Sequence, residues 1–381
     1  MASLQTIDSG VIYRNPYPGH RVINAFHPAT HLRDNGDILC TVRVALALYS
    51  PEGMIHMLRS NDGGATWEHR GPIIDRDKDD VQYNYGDAQF TKLSDGTLVL
   101  RASRCDQHDG RFKFNPETGG LSPEQTLLMF SNDDGDTWSH PQVCDIAGRF
   151  DKHRAPAPYG PLIELPDGAW LLTIETWNAY DYAGPFDLQI YGLHSTDRGK
   201  TWGDKTVIAD GAANDKSFSH AIAVKLDDGR LLMPSWGATP QFDRFIGNWA
   251  IVSTDETGRT WERPYDMHVP GQTSCACNMG GGLLLLAYSH REDTDQPGIK
   301  VAVSEDHGRT WSTDPEFVVW DAYGKEALGV VKTDKYPSAH DAIAYGAPKI
   351  MRLDDVTALA TFWCTQGADT HVRWQRLGVT R

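Results

Sequence analysis

One eight-residue phrase constrains this chain of 381 residues more than any other feature, because it occurs five times. Ser304-Glu305-Asp306-His307-Gly308-Arg309-Thr310-Trp311 has relatives at Ser60 to Trp67, Ser131 to Trp138, Ser195 to Trp202 and, one residue longer, Ser253 to Trp261. Each copy keeps Ser, Asp, Gly, Thr and Trp in that order. An Asp in a tight turn accepts backbone N–H groups farther along, and Gly supplies the positive φ that closes a hairpin. The Trp then buries a large ring beneath the turn. The phrase is expected to be a structural staple with no catalytic role of its own.

A second signal lies about thirty residues ahead of each staple, in stretches such as FTKLSDGTLVLRAS, LIELPDGAWLLTIE and IAVKLDDGRLLMPS. An apolar stretch meets a D-G-like turn and a second apolar stretch follows, which is the pattern of a hairpin. Counting a degenerate copy, KIMRLDDVTALATFW, there are six such hairpins against five staples. The repeating unit is therefore strand A, a D-G turn, strand B, a variable loop, strand C, the staple and strand D. Four antiparallel strands per unit, repeated radially, describe an all-β fold, a six-bladed β-propeller occupying residues 1–381 as one domain. The sixth unit lacks a fourth strand, and the segment from Leu4 to Arg14 has no unit of its own. The N-terminal strand is expected to close the ring beside the third strand of the last blade, near 371–377, which removes an open sheet edge.

Strand alternation puts the D-G turns and staples on one face and the B–C loops and D–A connections on the other. The second set is long and varied: Arg104 to Gln125, Trp177 to Asp187, Gly237 to Gly247 and Trp320 to Tyr345. Varied loops on a rigid scaffold are where a site is expected. Nine residues before the turn Gly stand His27, Asp87, Tyr159 and His220, with Ser274 and Ala347 near the matching positions of the less regular blades. Seven residues after it stand Arg43, Ser103, Glu175, Trp236 and Ser289, with Trp363 in the sixth blade. Arg101, Arg104, His290, Arg291, Tyr336, His340 and Asp341 flank them. So many ionisable and aromatic residues at one register predict a polar ligand pocket on the channel. Arg43 also has a plain reading, as a buried arginine paired with Asp87.

Composition limits the partners. Lys and Arg number 36 against 51 Asp and Glu, a net charge of −15 with no basic run, which argues against nucleic acid and anionic membrane surfaces. The start, MASLQTIDSG, has no cationic or apolar leader region, and no run of eighteen apolar residues occurs, so a soluble, cytoplasmic protein is expected. The six cysteines are scattered apart from Cys275-x-Cys277, with neither a disulfide framework nor a zinc spacing. Reduced thiols, no metal and no cofactor are expected, and the oligomeric state is left open.

The repeated S-x-D-x-G-x-T-W turn resembles the Asp-box (BNR) repeat of the sialidase superfamily, over nearly the whole chain. Members of that superfamily carry an Arg triad for the substrate carboxylate, a Tyr nucleophile with a Glu partner, and an Asp acid/base. The resemblance implies a sialidase-like exo-acting glycoside hydrolase that releases a terminal acidic sugar. Tyr159 in YGPLIELPDG matches the family's Tyr, with Tyr345 a looser match, and Glu175 its Glu. Asp87 or His27 would be the acid/base, with Arg43, Arg104 and Arg291 on the anion. The chain departs from the pattern at Phe26-His27-Pro28-Ala29, where His27 stands in place of the first Arg of an R-I-P motif. The His, Tyr and Arg residues on the channel, with His27, His220 and His340 as the histidines, are also similar to what propeller lyases and rhamnosidases acting on uronic-acid polysaccharides carry. There an Arg neutralises the uronate while His or Tyr moves the C5 proton. A carbohydrate-binding propeller without catalysis is the third reading.

Overall fold

The structure is a computed structural model that describes residues 2–292, 294–323, 343–367 and 369–381. After β1 (Ser3–Tyr13), blade 1 is β2 to β5 (Asn24–Leu32, Ile38–Ala45, Met54–Ser60, Glu68–Pro72) and blade 2 is β6 to β9 (Tyr83–Lys92, Leu98–Asp106, Glu124–Ser131, Gln142–Cys144). Blade 3 is β10 to β14 (Arg154–Pro158, Ile163–Glu164, Trp170–Asn178, Ile190–Ser195, Gly203–Ala209). Blade 4 is β15 to β19 (Ser217–Ser219, Val224–Lys225, Leu231–Ala238, Phe245–Val252, Tyr265–Val269). Blade 5 is β20 to β23 (Gln272–Gly280, Leu283–His290, Gly298–Ser304, Ser312–Asp321), and blade 6 is β24 to β26 (Tyr345–Arg352, Thr357–Gln366, Asp369–Thr380) with β1 added. In blades 3 and 4 the inner strand is split, both halves pairing with the same neighbour, so each blade is four antiparallel strands deep. β1 runs antiparallel to β26 from Ser3↔Thr380 to Tyr13↔Val372, closing the ring as its sequence predicts.

The staples work through one repeated set of bonds. In the first copy Ser60 Oγ donates to Asp62 Oδ1 at 2.8 Å, Thr66 N donates to the same oxygen at 2.9 Å, and Thr66 Oγ1 donates to Oδ2 at 2.6 Å. Gly64 N returns to Ser60 Oγ at 2.8 Å, and the Trp67 indole donates to Gly64 O at 2.9 Å. Asp133, Asp197 and Asp306 repeat the carboxylate bonds, and Trp202 and Trp311 the indole bond, while the Trp138 indole has no acceptor among the described residues. The extra residue in the fourth copy breaks it: Thr257 N and Oγ1 bond Asp255 Oδ1 instead, while the Trp261 indole keeps its bond to Gly258 O at 3.1 Å.

The core is a set of wedges between neighbouring blades. Ile55 and Ile74 pack on Tyr85 and Leu100 between blades 1 and 2, and Leu128 packs on Trp170 and Trp202 between blades 2 and 3. Phe26 and Ile38 pack on Trp363 and Trp374 where blade 6 meets blade 1. All six cysteines are buried and unbridged. Among the described residues no helix is long and apolar enough to cross a membrane.

Candidate active site

The inner strands depart from regular pairing at one common level. Register skips occur between Phe26 and Ala29, Gly86 and Ala88, Gln272 and Ser274, and Gly346 and Lys349, and in blades 3 and 4 the strand breaks at the same height. In four of the six blades the residue there carries left-handed backbone: φ is 50° at His27, 58° at His220, 30° at Thr273 and 46° at Ala347. Side chains with a Cβ seldom adopt that region, so six coordinated departures amount to a built feature that re-aims side chains out of the pleat.

What they are aimed into is a cavity of about 140 Å³ at the loop-side mouth of the channel. His27, Asp87, Tyr159, His220, Thr273 and Ala347 form a ring around it, one residue from each blade. Arg43, Ser103, Glu175, Trp236 and Trp363, from the second strands, also line it. The fifth-blade position is Thr273, not Ser274: counting nine residues back from Gly282 lands on Thr273, and Ser274 is its neighbour on the strand. Ser289, opposite, supports Thr273 through a 2.8 Å hydroxyl contact.

Asp87 rests on Arg101, which is fully buried. Arg101 Nη2 donates to Asp87 Oδ2 at 2.8 Å, Nη1 to Asp87 O at 3.1 Å, and Nε to Gly160 O at 2.9 Å. Burial pushes the Asp87 carboxyl up, but Arg101 and Lys349 outweigh it and hold the group ionised, well below the usual carboxylate range. Glu175 is shifted the other way. Its oxygens take Ser219 Oγ at 2.9 Å, the backbone N–H of His220, and that of Ala221 at 3.3 Å, yet burial still raises it to about 7.

Tyr159 and His220 stack face to face, with centroids 3.9 Å apart and planes 10° off parallel, and Trp236 tilts against the far side of His220 at 4.9 Å. His220 Nδ1 is buried with no hydrogen-bond partner among the described residues. Burial, then the Lys349 charge, lowers His220 far below its ordinary value, and burial takes His27 to about 3 against the pull of Asp87, so both imidazoles are neutral. Burial, then Asp87 and Glu175, lifts the Tyr159 phenol well above its usual value.

The arginines divide. Arg43 lines the cavity, but its guanidinium donates to Tyr85 O at 3.2 Å, Ala47 O at 3.0 Å, Ser50 O at 2.7 Å and Asn84 Oδ1 at 2.9 Å. Four framework acceptors take up most of its fork, and its partner is not Asp87. Arg104 lies outside the cavity lining: one residue past Ser103 on a strand of period 2, it points to the other face of the sheet, bonding Gln125 Oε1 at 2.8 Å and lying 3.7 Å over the Tyr83 ring. Arg291 lines the cavity, donating to Gln272 Oε1 at 2.7 Å and Tyr345 O at 2.5 Å, while its Nε has no partner among the described residues. His340, with Tyr336 and Asp341, lies outside the described residues.

Three lining groups escape the periodic count. Lys113 and Tyr49 come from loops whose shape the repeat does not encode, and Glu124, paired with Lys113 at 2.8 Å, stands at the loop-side start of β8. An aromatic wall of Phe114, Trp177 and Phe242 continues from Trp236. Among the described residues no group of three or more His, Cys, Asp or Glu is placed to hold a metal ion.

Comparison with known proteins agrees with this architecture. The profile of the family described as "BNR repeat-like domain" matches residues 111–327. A sialidase of Micromonospora viridifaciens is 23% identical over 327 residues, covering 81% of this chain and 48% of its own, so the chain spans about half the length of that relative. Among solved structures, a protein of unknown function from Dyadobacter fermentans DSM 18053 superposes with a TM-score of 0.73 at 19% identity, covering 99% of both chains. An α-L-arabinanase of Penicillium chrysogenum, complexed with arabinobiose, superposes with a TM-score of 0.64 at 15% identity, covering 98% of both. Glycoside hydrolases thus recur among its likenesses. Identities this low carry the fold, and the chemistry has to be argued from the site.

Proposed function

The chain belongs to the BNR repeat-like domain family, and on that premise we propose that it is an exo-acting glycoside hydrolase that takes one terminal acidic sugar of a glycan into the channel cavity. The observation that carries this reading is the pair Glu175 and Asp87, two carboxyl groups on one cavity whose surroundings drive them apart, one raised to about 7 and the other held ionised. Such a divergence is how an acid and a charge-stabilising base are made from the same chemical group. Glu175, still partly protonated at neutral pH, donates to the leaving oxygen, and Ser219 Oγ can accept from it or donate to it. Asp87 offsets the positive charge that develops at the anomeric carbon. Tyr159 is the nucleophile, its ring fixed by His220: ionised Asp87 takes the phenol proton as the oxygen bonds the anomeric carbon and the glycosidic bond breaks. Glu175, left ionised, then deprotonates the water that frees the sugar, and Asp87 returns the proton to the phenolate. His27 and His220, as neutral imidazoles, hydrogen-bond sugar hydroxyls, and Trp236 and Trp177 supply apolar faces for the ring.

The experiment is a panel of sialosides, uronides and arabinosides incubated with the purified chain. It is scored at once for new reducing ends and for the ultraviolet absorbance of an unsaturated sugar. Hydrolysis gives reducing ends alone. Absorbance would move the assignment to a lyase, and silence on every member would favour a binding protein.

A further inference from the structure

Below the ring of His27, Asp87, Tyr159, His220, Thr273 and Ala347 runs a second ring, two residues farther along each inner strand: Ala29, Gln89, Pro161, Ile222, Cys275 and Lys349. Five of the six are uncharged, so Lys349 is the one cation of this layer. It stands two residues past Ala347, the smallest side chain of the upper ring. Its ammonium lies 5.9 Å from the centre of the Tyr159 ring and is felt by Asp87, His27 and His220, all of which line the cavity. The residue is only 6% exposed, and its ammonium has neither a hydrogen-bond acceptor nor an ion-pair partner among the described residues.

A buried cation without a bonded counter-charge is costly, and such a group is kept where a ligand completes it. A second incomplete donor adjoins it. Arg291 packs its guanidinium against Gly346, where a Cβ would come within 2.3 Å of Nη2, and its buried Nε is unpartnered among the described residues. Arg291, which lines the cavity, and Lys349, which lines the adjoining channel pocket beneath it and feels the Asp87 charge, therefore flank Gly346 and Ala347 from beside and below.

Resting on the glycosidase reading above, we propose that Lys349, with Arg291 beside it, is the group that recognises the carboxylate of the acidic sugar, seated over Gly346 and Ala347. The recognition device is then a lysine under a bulge plus one arginine, because Arg43 is committed to the framework and Arg104 lies outside the cavity. Lys349 binds and orients; the bond-breaking groups stay on the other side of the ring.

Binding rather than turnover provides the test. N-acetylneuraminate and glucuronate, each beside its neutral carboxamide, are titrated calorimetrically into the unmodified chain and into Lys349→Met and Lys349→Arg, with thermal melts confirming that each variant folds. The unmodified chain should prefer at least one acid over its amide by at least about tenfold, the scale of one charge-assisted hydrogen bond. Lys349→Met should abolish that preference while leaving amide binding unchanged, and Lys349→Arg should restore part of it. A preference that survives Lys349→Met overturns the inference, as does the absence of any acid preference in the unmodified chain. If Lys349→Met does not fold, Lys349→Gln is read in its place by the same criteria. A chain that shows the Lys349-dependent preference yet releases no sugar from any glycoside would sink the hydrolase reading and leave this one standing.

Discussion

The carboxylate of Glu175 in blade 3 accepts the backbone N–H of His220 in blade 4, the residue whose left-handed backbone (φ 58°) turns its imidazole onto Tyr159. One side chain therefore both lines the cavity and holds the neighbouring blade in the conformation that shapes it. This contact and the other two bonds favour the charged carboxylate, yet burial outweighs them and leaves the pKa raised.

Glu175→Gln separates these roles. The folded-state pKa of about 7 lies above the ordinary 4.5, so the protonated group's contribution to stability is full below about pH 4.5 and is lost as pH rises through 7. Thermal melts between pH 5 and 8 should show that decline in the parent and a flatter profile in Glu175→Gln. Activity should fall by at least about a hundredfold, as expected for loss of a proton donor, and the parent's loss of activity above pH 7 should vanish from whatever remains. An unchanged pH profile of activity would remove Glu175 from proton transfer.

Arg43→Lys and Arg291→Lys are expected to diverge. Lysine cannot reach the four acceptors that Arg43 serves, so Arg43→Lys should cost about 3 kcal/mol of stability in denaturant melts with substrate affinity little altered. Arg291→Lys should instead raise KM for an acidic glycoside with a smaller effect on the melt.

Asp306→Ala removes an acceptor shared by Ser304 Oγ, Thr310 N and Thr310 Oγ1. A loss of about 1–3 kcal/mol with kcat unchanged is expected. Asp306 has a lowered pKa, as do Asp62, Asp133 and Asp197, all three at about 2. Their contribution is present above the ordinary carboxylate range and is lost as pH falls below it, so Asp306→Ala should also blunt acid unfolding below about pH 4.

Deleting residues 2–13 should expose the outer edge of β26 and lower the melting temperature sharply, with aggregation on heating. Light scattering during the melt reads both effects.

The repeats made the blades legible because staple and hairpin chemistry is local: Asp, Gly and Trp at fixed spacing dictate a turn wherever they stand. The cavity ring was legible for the same reason, since a fixed count from the turn Gly reaches one level of the channel in His27, Asp87, Tyr159 and His220. In the fifth blade the same count from Gly282 reaches Thr273, whereas the expectation named its neighbour Ser274, because three consecutive glycines blur which one marks the turn. Arg104 was misplaced through its adjacency to Ser103, although strand alternation argued against it. Lys349 was missed because it belongs to the next layer, two residues past Ala347, and extending the same count along KIMRLDD would have found it. Lys113 and Glu124 left no periodic signal, because their meeting depends on the path of a long loop.

The cavity residues at two fixed counts from the turn Gly do the chemistry, Asp87 and Tyr159 nine before it and Glu175 seven after it. The most direct test of this assignment is kcat/KM of Tyr159→Phe beside Arg104→Gln on the best glycoside of the panel. Phenylalanine keeps the stack on His220 and removes only the hydroxyl, so Tyr159→Phe should lose at least about a hundredfold, while Arg104→Gln, outside the cavity, should stay within about threefold of the parent. Equal losses in the two variants, or a Tyr159→Phe that retains parental kcat/KM, would contradict it.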